Sequence, residues 1–192
     1  MDKKLSYCLG QNDDQILLVD MHDNPIGTIE KLAAHQQGLL HRAFSLFLYH
    51  DNSLLLQQRA VSKYHCGGLW ANSCCSHPRP DESVAAAACR RLGEETGLFC
   101  QQPEELFSFV YRAQLDNQLT EHEYDHVLLA HHPMTDVSAY NFNPQEIQAM
   151  RWVETELLEK ELRMQPQLFA PWFRLAAPRV IAHLRLLKLR SQ

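Results

Sequence analysis

The sequence of 192 residues is poor in the features that mark specialised classes of protein. Its 7 glycines and 9 prolines form no low-complexity segment and no linker, so we expect one domain over residues 1–192. No apolar run approaches the roughly 20 residues that cross a bilayer, which excludes a transmembrane helix. With 18 Lys and Arg against 23 Asp and Glu, the net charge of −5 provides no basic surface for nucleic acid. A small-molecule ligand is therefore favoured.

Cysteine and histidine content limits the redox and metal chemistry that is open to the chain. The N-terminus has no apolar segment of the kind that a secretory signal needs, so we expect a cytoplasmic location, where disulfides are rare. No two cysteines have the C-x-x-C spacing of a zinc ribbon, which leaves buried apolar side chains or a reactive thiol. Eleven histidines raise the question of a shared metal ion. The cysteines are Cys8, Cys66, Cys74, Cys75, Cys89 and Cys100.

Strand patterns dominate the first part of the chain. Apolar runs at 16–20 and 26–30 flank a turn rich in Asp, Asn and Pro, which predicts an N-terminal hairpin over residues 15–30. Runs at 43–50 and 54–58 predict a second hairpin around another polar turn. The Ala-rich segment 83–96 follows acidic residues and ends before Gly97, which predicts a helix with a glycine stop.

A long antiparallel hairpin is predicted after that helix. Segments 106–115 and 119–132 are rich in aromatic and branched residues and flank the turn 116–118. If the turn is centred on Asn117, residues whose numbers sum to 234 face each other, and Tyr111 lies opposite Glu123. Short helices around a strand at 150–153 follow, so the order of elements indicates an α+β fold.

The C-terminal helix, expected over residues 178–190, combines a basic composition with one apolar face. Val180, Ile181, Leu184 and Leu187 recur at helical spacing. Docking of this face on the core is the favoured interpretation, and a helix that lies on a membrane surface is the alternative. The sequence leaves the oligomeric state open, and a monomer is slightly favoured.

The Glu-His-Glu sequence at 121–123 is the sharpest local signal of chemistry. The two-residue period of a strand directs Glu121 and Glu123 to the same side, where they either bind a metal together or are solvated. Candidate further donors are His35, His41 and His77, each of which can instead be a solvated loop residue. Three imidazoles and two carboxylates together would suit Mn²⁺, Zn²⁺ or Mg²⁺.

The end of the Ala-rich helix approximates the Nudix signature G-x5-E-x7-R-E-U-x-E-E-x-G-U, where U is aliphatic. Arg91 and Glu95 are one helical turn apart, which by itself predicts only an ion pair. Ser76 and Arg91 depart from the signature, at its first glycine and at the glutamate of its R-E pair. Because the resemblance implies Mg²⁺ binding by helical carboxylates, the lost glutamate favours a protein that binds a diphosphate through Glu94 or Glu95 without cleaving it. The matching positions are Glu82, Arg90, Leu92, Glu94, Glu95, Gly97 and Leu98.

Over roughly residues 15–175 the chain resembles a specific Nudix family, the type I isopentenyl-diphosphate delta-isomerases. The resemblance implies a single Nudix-like domain, a mixed sheet sandwiched by helices, with the hairpin 15–30 and the helix 178–190 as additions. It also implies interconversion of isopentenyl and dimethylallyl diphosphate through a carbocation-like intermediate, in isoprenoid biosynthesis. The matching segments are 27–35, His41, 58–63, 68–78, the helix signature, 111–113, 121–123 and 170–173.

Carried over position by position, the resemblance implies roles for individual side chains. Glu95 would contact a second ion, Mg²⁺ bound to the substrate diphosphate. Cys75 and Glu123 would be the acid–base pair, with Tyr111 assisting. Trp172 would face the developing cation with its indole ring, or else pack in the core. The metal ligands would be His35, His41, His77, Glu121 and Glu123, and the diphosphate-binding residues would be Lys31, Arg59, Lys63 and Arg91.

Two cysteines are adjacent at the expected reactive position. The match to the Asn-Ser-x-Cys-x-His segment assigns the reactive thiol to Cys75. In an extended strand Cys75 and His77 project to one side, and Cys74 projects to the other, towards the core. Two other functions stay open: a Nudix hydrolase of a nucleoside or prenyl diphosphate, and a module that binds metal or diphosphate without catalysis.

Overall fold

A computed structural model describes residues 15–115 and 118–190, so Cys8 and the turn residues Asp116 and Asn117 lie outside the described part. A nine-stranded mixed sheet and four helices form the fold, which confirms the expected α+β class. The helices are α1 (Lys31–Gln37), α2 (Val84–Thr96), α3 (Thr155–Met164) and α4 (Pro171–Arg190). The strands are β1 (Gln15–Val19), β2 (Pro25–Glu30), β3 (His41–His50), β4 (Ser53–Arg59), β5 (Trp70–Ala71), β6 (Cys74–Ser76), β7 (Glu104–Gln114), β8 (Thr120–His131) and β9 (Ile147–Glu154).

Strand β3 organises the sheet. It pairs antiparallel with β4 and β6 and contacts β1 at one pair, and it pairs in parallel with β8. The remaining strands extend this centre, β2 beyond β1, β5 and β9 beside β4, and β7 beside β8. The parallel register places His41 of β3 directly beside Glu123 of β8. Residues distant in sequence are thus brought to one end of the sheet.

The hairpins predicted from sequence are present. Strands β1 and β2 form the N-terminal hairpin, and β3 and β4 form the second. In the β7–β8 pair, Tyr111 lies opposite Glu123, and the expected pairing persists until a register shift between Glu105 and Phe107. The strand predicted at 150–153 is the longer β9.

Each face of the sheet carries its own core, as a sheet sandwiched by helices requires. Phe47 of β3 packs on one face against α4, with Leu158 of α3 in the same cluster. Leu46 and Leu48 point to the other face and pack with Leu92 of α2. This alternation places the odd-numbered residues of β8, including Glu123, on the α4 face.

Helix α1 was missed by the sequence prediction, which considered His35 only as a possible loop residue. The helix has only seven residues and begins at an unusual cap, the Glu30 carboxylate, which accepts hydrogen bonds from the amides of Leu32 and Ala33. Gly38 ends it in the left-handed conformation with φ of 63°. His35 is thus fixed on a helix. The predicted helix α2 is confirmed, with Ser83 as its cap and Gly97 as its stop.

The start that we predicted for the C-terminal helix was wrong. Helix α4 begins at Pro171, and Pro178 lies inside it. Proline has no N–H, so the carbonyl of Arg174, four residues before Pro178, receives no helical hydrogen bond. Both residues are exposed, so water can donate to that carbonyl instead. Ile181 and Leu184 are buried against the sheet, which favours docking on the core over a membrane surface. No helix of the described residues is long and apolar enough to cross a bilayer.

Candidate active site

Three imidazoles and one carboxylate meet at the end of β3. A ligand atom from each of His35, His41, His77 and Glu123 lies within 4.8 Å of the other three. His77 Nε2 is 3.2 Å and His41 Nε2 is 3.6 Å from the same Oε1 of Glu123. Two ligands at right angles around a cation, each at about 2.1 Å, would be about 3 Å apart. The spacing therefore suits one shared metal ion.

The hydrogen bonds of two of these rings orient them as metal ligands. Nδ1 of His35 donates to the carbonyl of Lys31 at 2.7 Å, and Nδ1 of His41 donates to the carbonyl of Leu39 at 2.8 Å. Because a carbonyl only accepts, the neutral tautomer of each ring has its proton on Nδ1 and its lone pair on Nε2, and both Nε2 atoms are buried without a hydrogen-bond partner. Burial lowers the pKa of His35, and burial together with Lys31 lowers that of His77 to about 3. Neutral imidazoles of this kind fit a divalent metal.

Glu121 belongs to a second, overlapping group of donors. Its carboxylate lies within 4.8 Å of ligand atoms of His35 and His65, and His65 Nδ1 is 3.2 Å from its Oε1. Burial, together with the charge of Arg59, lowers the pKa of His65 to about 2, so this ring is neutral as well. Sequence reasoning missed His65 because it lies in the irregular segment between β4 and β5, where no periodicity marks a direction.

Tyr111 links the two carboxylates. Its hydroxyl donates to Oε2 of Glu123 at 2.5 Å and lies 3.1 Å from Oε2 of Glu121. Burial, and then repulsion from Glu123, raises the pKa of Glu121 well above its usual value. Burial would also raise the pKa of Glu123, but its contacts with His41 and His77 outweigh this and hold the pKa well below its usual range. The two carboxylates thus differ in their affinity for a proton.

The Cys75 thiol lies in the same cavity as this cluster. Strand β6 places Cys75 beside Ser45 of β3, and Cys74 turns to the other face and is buried in the α2 core, as the alternation predicted. The guanidinium Nη1 of Arg59 is 3.8 Å from the Cys75 Sγ. Burial raises the pKa of Cys75 to about 12, although the charge of Arg59 opposes this rise. At neutral pH the side chain is therefore a thiol.

Trp172 begins the buried part of α4 and is 3% exposed. Its Nε1 donates to Oδ1 of Asn72 at 3.0 Å. The Arg59 guanidinium carbon is 5.4 Å from the centre of the indole ring, above its face. The ring therefore presents its electron-rich face to a position that a cation already occupies.

Cationic side chains line the cavity and its mouth: Lys31, Lys63 and Arg91 line both, and Arg59 lines the inner cavity. Arg59 is buried. Lys63 and Arg91 both form ion pairs with Glu146: Lys63 Nζ is 2.5 Å from its Oε2, and Arg91 Nη2 is 3.6 Å from its Oε1. Burial and the charges of its cationic neighbours lower the pKa of Lys31. Glu146, which sequence reasoning missed, is the carboxylate that connects two of these cations. The excess of positive charge suits an anionic ligand.

Only part of the helix signature reaches the cavity. Arg91 Nη2 is 2.6 Å from Oε1 of Glu95, which confirms the predicted ion pair, and both residues line the cavity. Burial raises the pKa of Glu95 in spite of Arg91. Arg90 instead binds Glu82 through two hydrogen bonds of 2.8 and 2.7 Å and also contacts the exposed Glu94. Glu94 does not line this cavity.

Most of the expected site residues line one pocket, which has an inner and an outer part. His35, His41 and Tyr111 are buried beside it and contact its lining residues His77 and Glu123. The inner cavity measures about 40 Å³ and the adjoining outer chamber about 270 Å³. Lys31, Lys63, His77 and Arg91 line both, so the outer chamber carries much of the positive charge. The inner cavity is also lined by Arg59, Cys75, Glu95, Glu121, Glu123 and Trp172.

Comparisons with known proteins agree with this arrangement. The model of the NUDIX domain matches residues 39–173. The chain is 47% identical over 171 residues to "Isopentenyl-diphosphate Delta-isomerase 2" of Aromatoleum aromaticum, covering 88% of both chains. It is 44% identical over 178 residues to the isopentenyl-diphosphate Delta-isomerase of Aliivibrio fischeri strain MJ11, covering 89% of this chain and 97% of the relative.

Solved structures support the fold. The crystal structure of DR0079 from Deinococcus radiodurans superposes with a TM-score of 0.67 at 20% identity, over 86% of this chain and 98% of that one. The MutT protein from Methanosarcina mazei gives a TM-score of 0.58 at 19% identity, over 73% and 91% of the two chains. Because the NUDIX model matches more than half of the chain, the protein is a member of the Nudix superfamily. Within that superfamily it belongs to the isopentenyl-diphosphate delta-isomerase family.

Proposed function

We propose that the protein interconverts isopentenyl diphosphate and dimethylallyl diphosphate, a step of isoprenoid biosynthesis. The observation that carries this proposal is the composition of one cavity. Its lining includes His77, Glu123, the neutral thiol of Cys75 and the indole ring of Trp172. The ligand atoms of the buried His35 and His41 lie within 4.8 Å of those of His77 and Glu123. The names of the relatives in Aromatoleum and Aliivibrio support the same reaction.

We assign the diphosphate to the cationic mouth of the cavity. Lys31, Lys63 and Arg91 offer charged donors there, and Arg59 offers another from the inner cavity. A diphosphate is the anionic end of the substrate. Glu95 is the only signature carboxylate that lines the inner cavity, so we place Mg²⁺ bound to the diphosphate beside it. This arrangement leaves the alkenyl end to enter the inner cavity.

The imidazole and carboxylate cluster would hold a second divalent ion, Mn²⁺, Zn²⁺ or Mg²⁺. His35, His41, His77 and Glu123 fit it through their converging ligand atoms, and we add Glu121 from the overlapping group. When bound, such an ion makes the neighbouring acid–base groups more acidic. The choice among these ions, like the cytoplasmic location and the monomeric state, stays a prediction.

Transposition of the double bond requires one proton to be added and another removed. We assign one transfer to Glu123 with Tyr111, whose hydroxyl donates to its carboxylate at 2.5 Å. We assign the other to Cys75, which is a thiol at neutral pH because burial raises its pKa to about 12. Which of them donates depends on the direction of the reaction.

A cationic intermediate between these transfers must be stabilised and kept from water. Trp172 can do this with the face of its ring, which attracts positive charge and, unlike a carboxylate, forms no bond to a carbocation. The ring is 3% exposed and lines the inner cavity. Exclusion of water prevents capture of the cation as an alcohol.

A Nudix hydrolase is the second candidate, because Glu82, Glu94 and Glu95 retain carboxylates of the signature. The contacts of these residues favour it less. Both carboxylate oxygens of Glu82 accept hydrogen bonds from Arg90. Arg91 replaces a glutamate of the signature and forms an ion pair with Glu95. A binding module without catalysis is the third candidate.

A turnover assay together with thermal unfolding in the presence and absence of metal separates the three candidates. The purified protein is incubated with isopentenyl diphosphate and a divalent metal, and both the allylic product and released phosphate are measured. We expect the allylic product without phosphate, and loss of that product in Cys75→Ala and Glu123→Gln. Phosphate release without an alkene shift would establish hydrolysis, and stabilisation by metal without turnover would establish a binding module.

A further inference from the structure

The side chain of Asn72 connects two elements that line the cavity, the strand that carries Cys75 and the helix that carries Trp172. Asn72 lies between β5 and β6 and is fully buried. Its amide nitrogen donates to the carbonyl of Leu46 at 3.2 Å and to that of Cys74 at 2.6 Å. Because Leu46 pairs with Cys74 where β3 meets β6, these bonds fix the start of the short strand that carries Cys75.

The other end of the same amide binds the indole ring. Asn72 Oδ1 accepts the hydrogen bond from Trp172 Nε1 at 3.0 Å. A buried indole N–H needs an acceptor, and this bond restricts rotation of the ring about its own side-chain bonds. All of the hydrogen-bonding groups of Asn72, two amide hydrogens and one oxygen, have partners. One amide therefore connects α4 with β3 and β6.

Ring orientation matters because an aromatic ring attracts a cation only at its face. The ring edge carries the opposite partial charge, so a rotated Trp172 would lose the attraction or repel the cation. In the structure the face is directed to the Arg59 guanidinium, 5.4 Å from the ring centre. Arg59, Trp172 and Cys75 line the same cavity. Because Asn72 binds both the indole and the carbonyl of Cys74, its side chain links the orientation of this face to the position of the Cys75 thiol.

We propose that Asn72 is a positioning residue for the isomerisation, which holds the indole face of Trp172 and the strand of Cys75 in one arrangement around the reacting carbons. This inference rests on the proposed function. It assigns Asn72 no contact with substrate. Asn72 acts through Trp172. Loss of Asn72 should therefore slow the chemical step and leave diphosphate binding unchanged.

The test is Asn72→Leu, which keeps the branched shape and removes all three hydrogen bonds. We expect kcat to fall about tenfold, the scale of one lost cation–π contact, with KM changed by less than about threefold. The indole ¹H–¹⁵N signal of Trp172, identified by its absence in Trp172→Phe, should shift in this variant without substrate. If Asn72→Leu does not fold, Asn72→Ser replaces it, because the shorter side chain does not reach the indole.

A double-mutant cycle separates positioning from general destabilisation. In Trp172→Phe the hydrogen bond is already absent, so adding Asn72→Leu should lower kcat by much less than it does in the parent protein. The matched control is Thr155→Val, which removes a hydrogen bond of 2.9 Å from the buried Thr155 hydroxyl to the half-buried Asn52, away from the cavity. It should lower stability and leave kcat within about twofold, since loss of one buried hydrogen bond is mainly a stability effect.

Several results would overturn the inference. A folded Asn72→Leu with unchanged kcat, an unshifted indole signal, or an equal loss of kcat with and without Trp172 would each contradict it. A similar fall of kcat in Thr155→Val would assign the effect to stability instead. If the parent protein forms no allylic product, the proposed function fails as well, whereas an active parent with an unaffected variant rejects only the role of Asn72.

Discussion

The hydroxyl of Tyr111 lies between two buried carboxylates, 2.5 Å from Oε2 of Glu123 and 3.1 Å from Oε2 of Glu121. A phenol has one proton and can donate fully to only one of them. The pKa of Glu121 is raised by burial and by Glu123, whereas that of Glu123 is lowered by its histidine contacts. The asymmetry favours donation from Tyr111 to Glu123, the carboxylate that also contacts the histidines.

Tyr111→Phe removes this donor and keeps the ring. We expect kcat to fall by roughly 10² or more, the usual scale for a positioned acid–base group. The affinity for metal should change little, because the hydroxyl contacts Oε2 of Glu123, whereas His41 and His77 lie against its Oε1. Steady-state kinetics and metal titration measure the two quantities.

Tyr124→Phe is the control for this change. Its hydroxyl lies on the same strand as Glu123 but contacts Ser108 at 3.3 Å, away from the cavity. The variant should keep kcat within about twofold, as expected for a partly exposed surface hydroxyl. Equal losses in the two variants would contradict the assigned role of Tyr111.

Metal removal should lower stability as well as activity. A site occupied at about 100 times its dissociation constant stabilises the folded state by about 2.7 kcal/mol, which is roughly 5–10 °C in a domain of this size. We therefore expect chelation to lower the unfolding temperature of the parent protein by that amount. His41→Ala, which deletes a buried Nε2 of the cluster, should respond much less to chelator.

The control is His183→Ala on α4, which should retain the full response, because His183 is not in either group of potential ligands. Thermal unfolding with and without chelator measures each protein. An equal response of His41→Ala and the parent would refute the metal assignment.

The adjacent cysteines should separate activity from stability. Cys75→Ala removes the cavity thiol, and we expect loss of activity with little change in unfolding free energy. Cys74→Ser places a hydroxyl in the buried α2 core, and we expect about 1–3 kcal/mol of destabilisation with activity retained below the unfolding temperature. The opposite pattern would assign the reactive thiol to Cys74.

Alkylation gives an independent measure of Cys75. Because burial raises its pKa to about 12, the reactive thiolate is rare at neutral pH. The rate of inactivation by iodoacetamide should therefore rise about tenfold per pH unit from pH 7 to 9, without a plateau. A plateau near pH 8.5 would show an ordinary thiol.

The sequence predicted those parts of the fold that rest on repeated local pattern. The register between Tyr111 and Glu123 followed from strand alternation around one turn. Helix α1 could not be predicted in this way, because its 7 residues are too few to show a helical period and its cap is an unusual one, the Glu30 carboxylate. The early start of α4 was hidden by Pro178, whose missing donor is tolerated on an exposed face.

The site was predictable where its residues belong to a family motif. His65 and Glu146 belong to none of the motifs that we used, and only the folded chain brings them to Glu121 and to the cationic mouth. Asn72 was part of a recognised segment, yet its bond to Trp172 joins positions 100 residues apart. Such contacts depend on how α4 packs against the sheet, and no local sequence pattern predicts that packing.

The ion pair of Glu82 and Arg90 should make stability depend on pH. Hydrogen bonds from Arg90, at 2.8 and 2.7 Å, lower the pKa of Glu82 below its usual value of 4.5. Because the folded-state pKa is the lower one, this stabilisation is complete above about pH 4.5 and is lost as pH falls through the folded-state value. Glu82→Gln should therefore be less stable at pH 7, by under about 1 kcal/mol because the pair is partly solvated, and equal to the parent at low pH. Glu94→Gln, whose carboxylate is 43% exposed, should lose less at pH 7. Urea unfolding across this pH range measures the difference, and a gap between parent and Glu82→Gln that widens on acidification would reject the assignment.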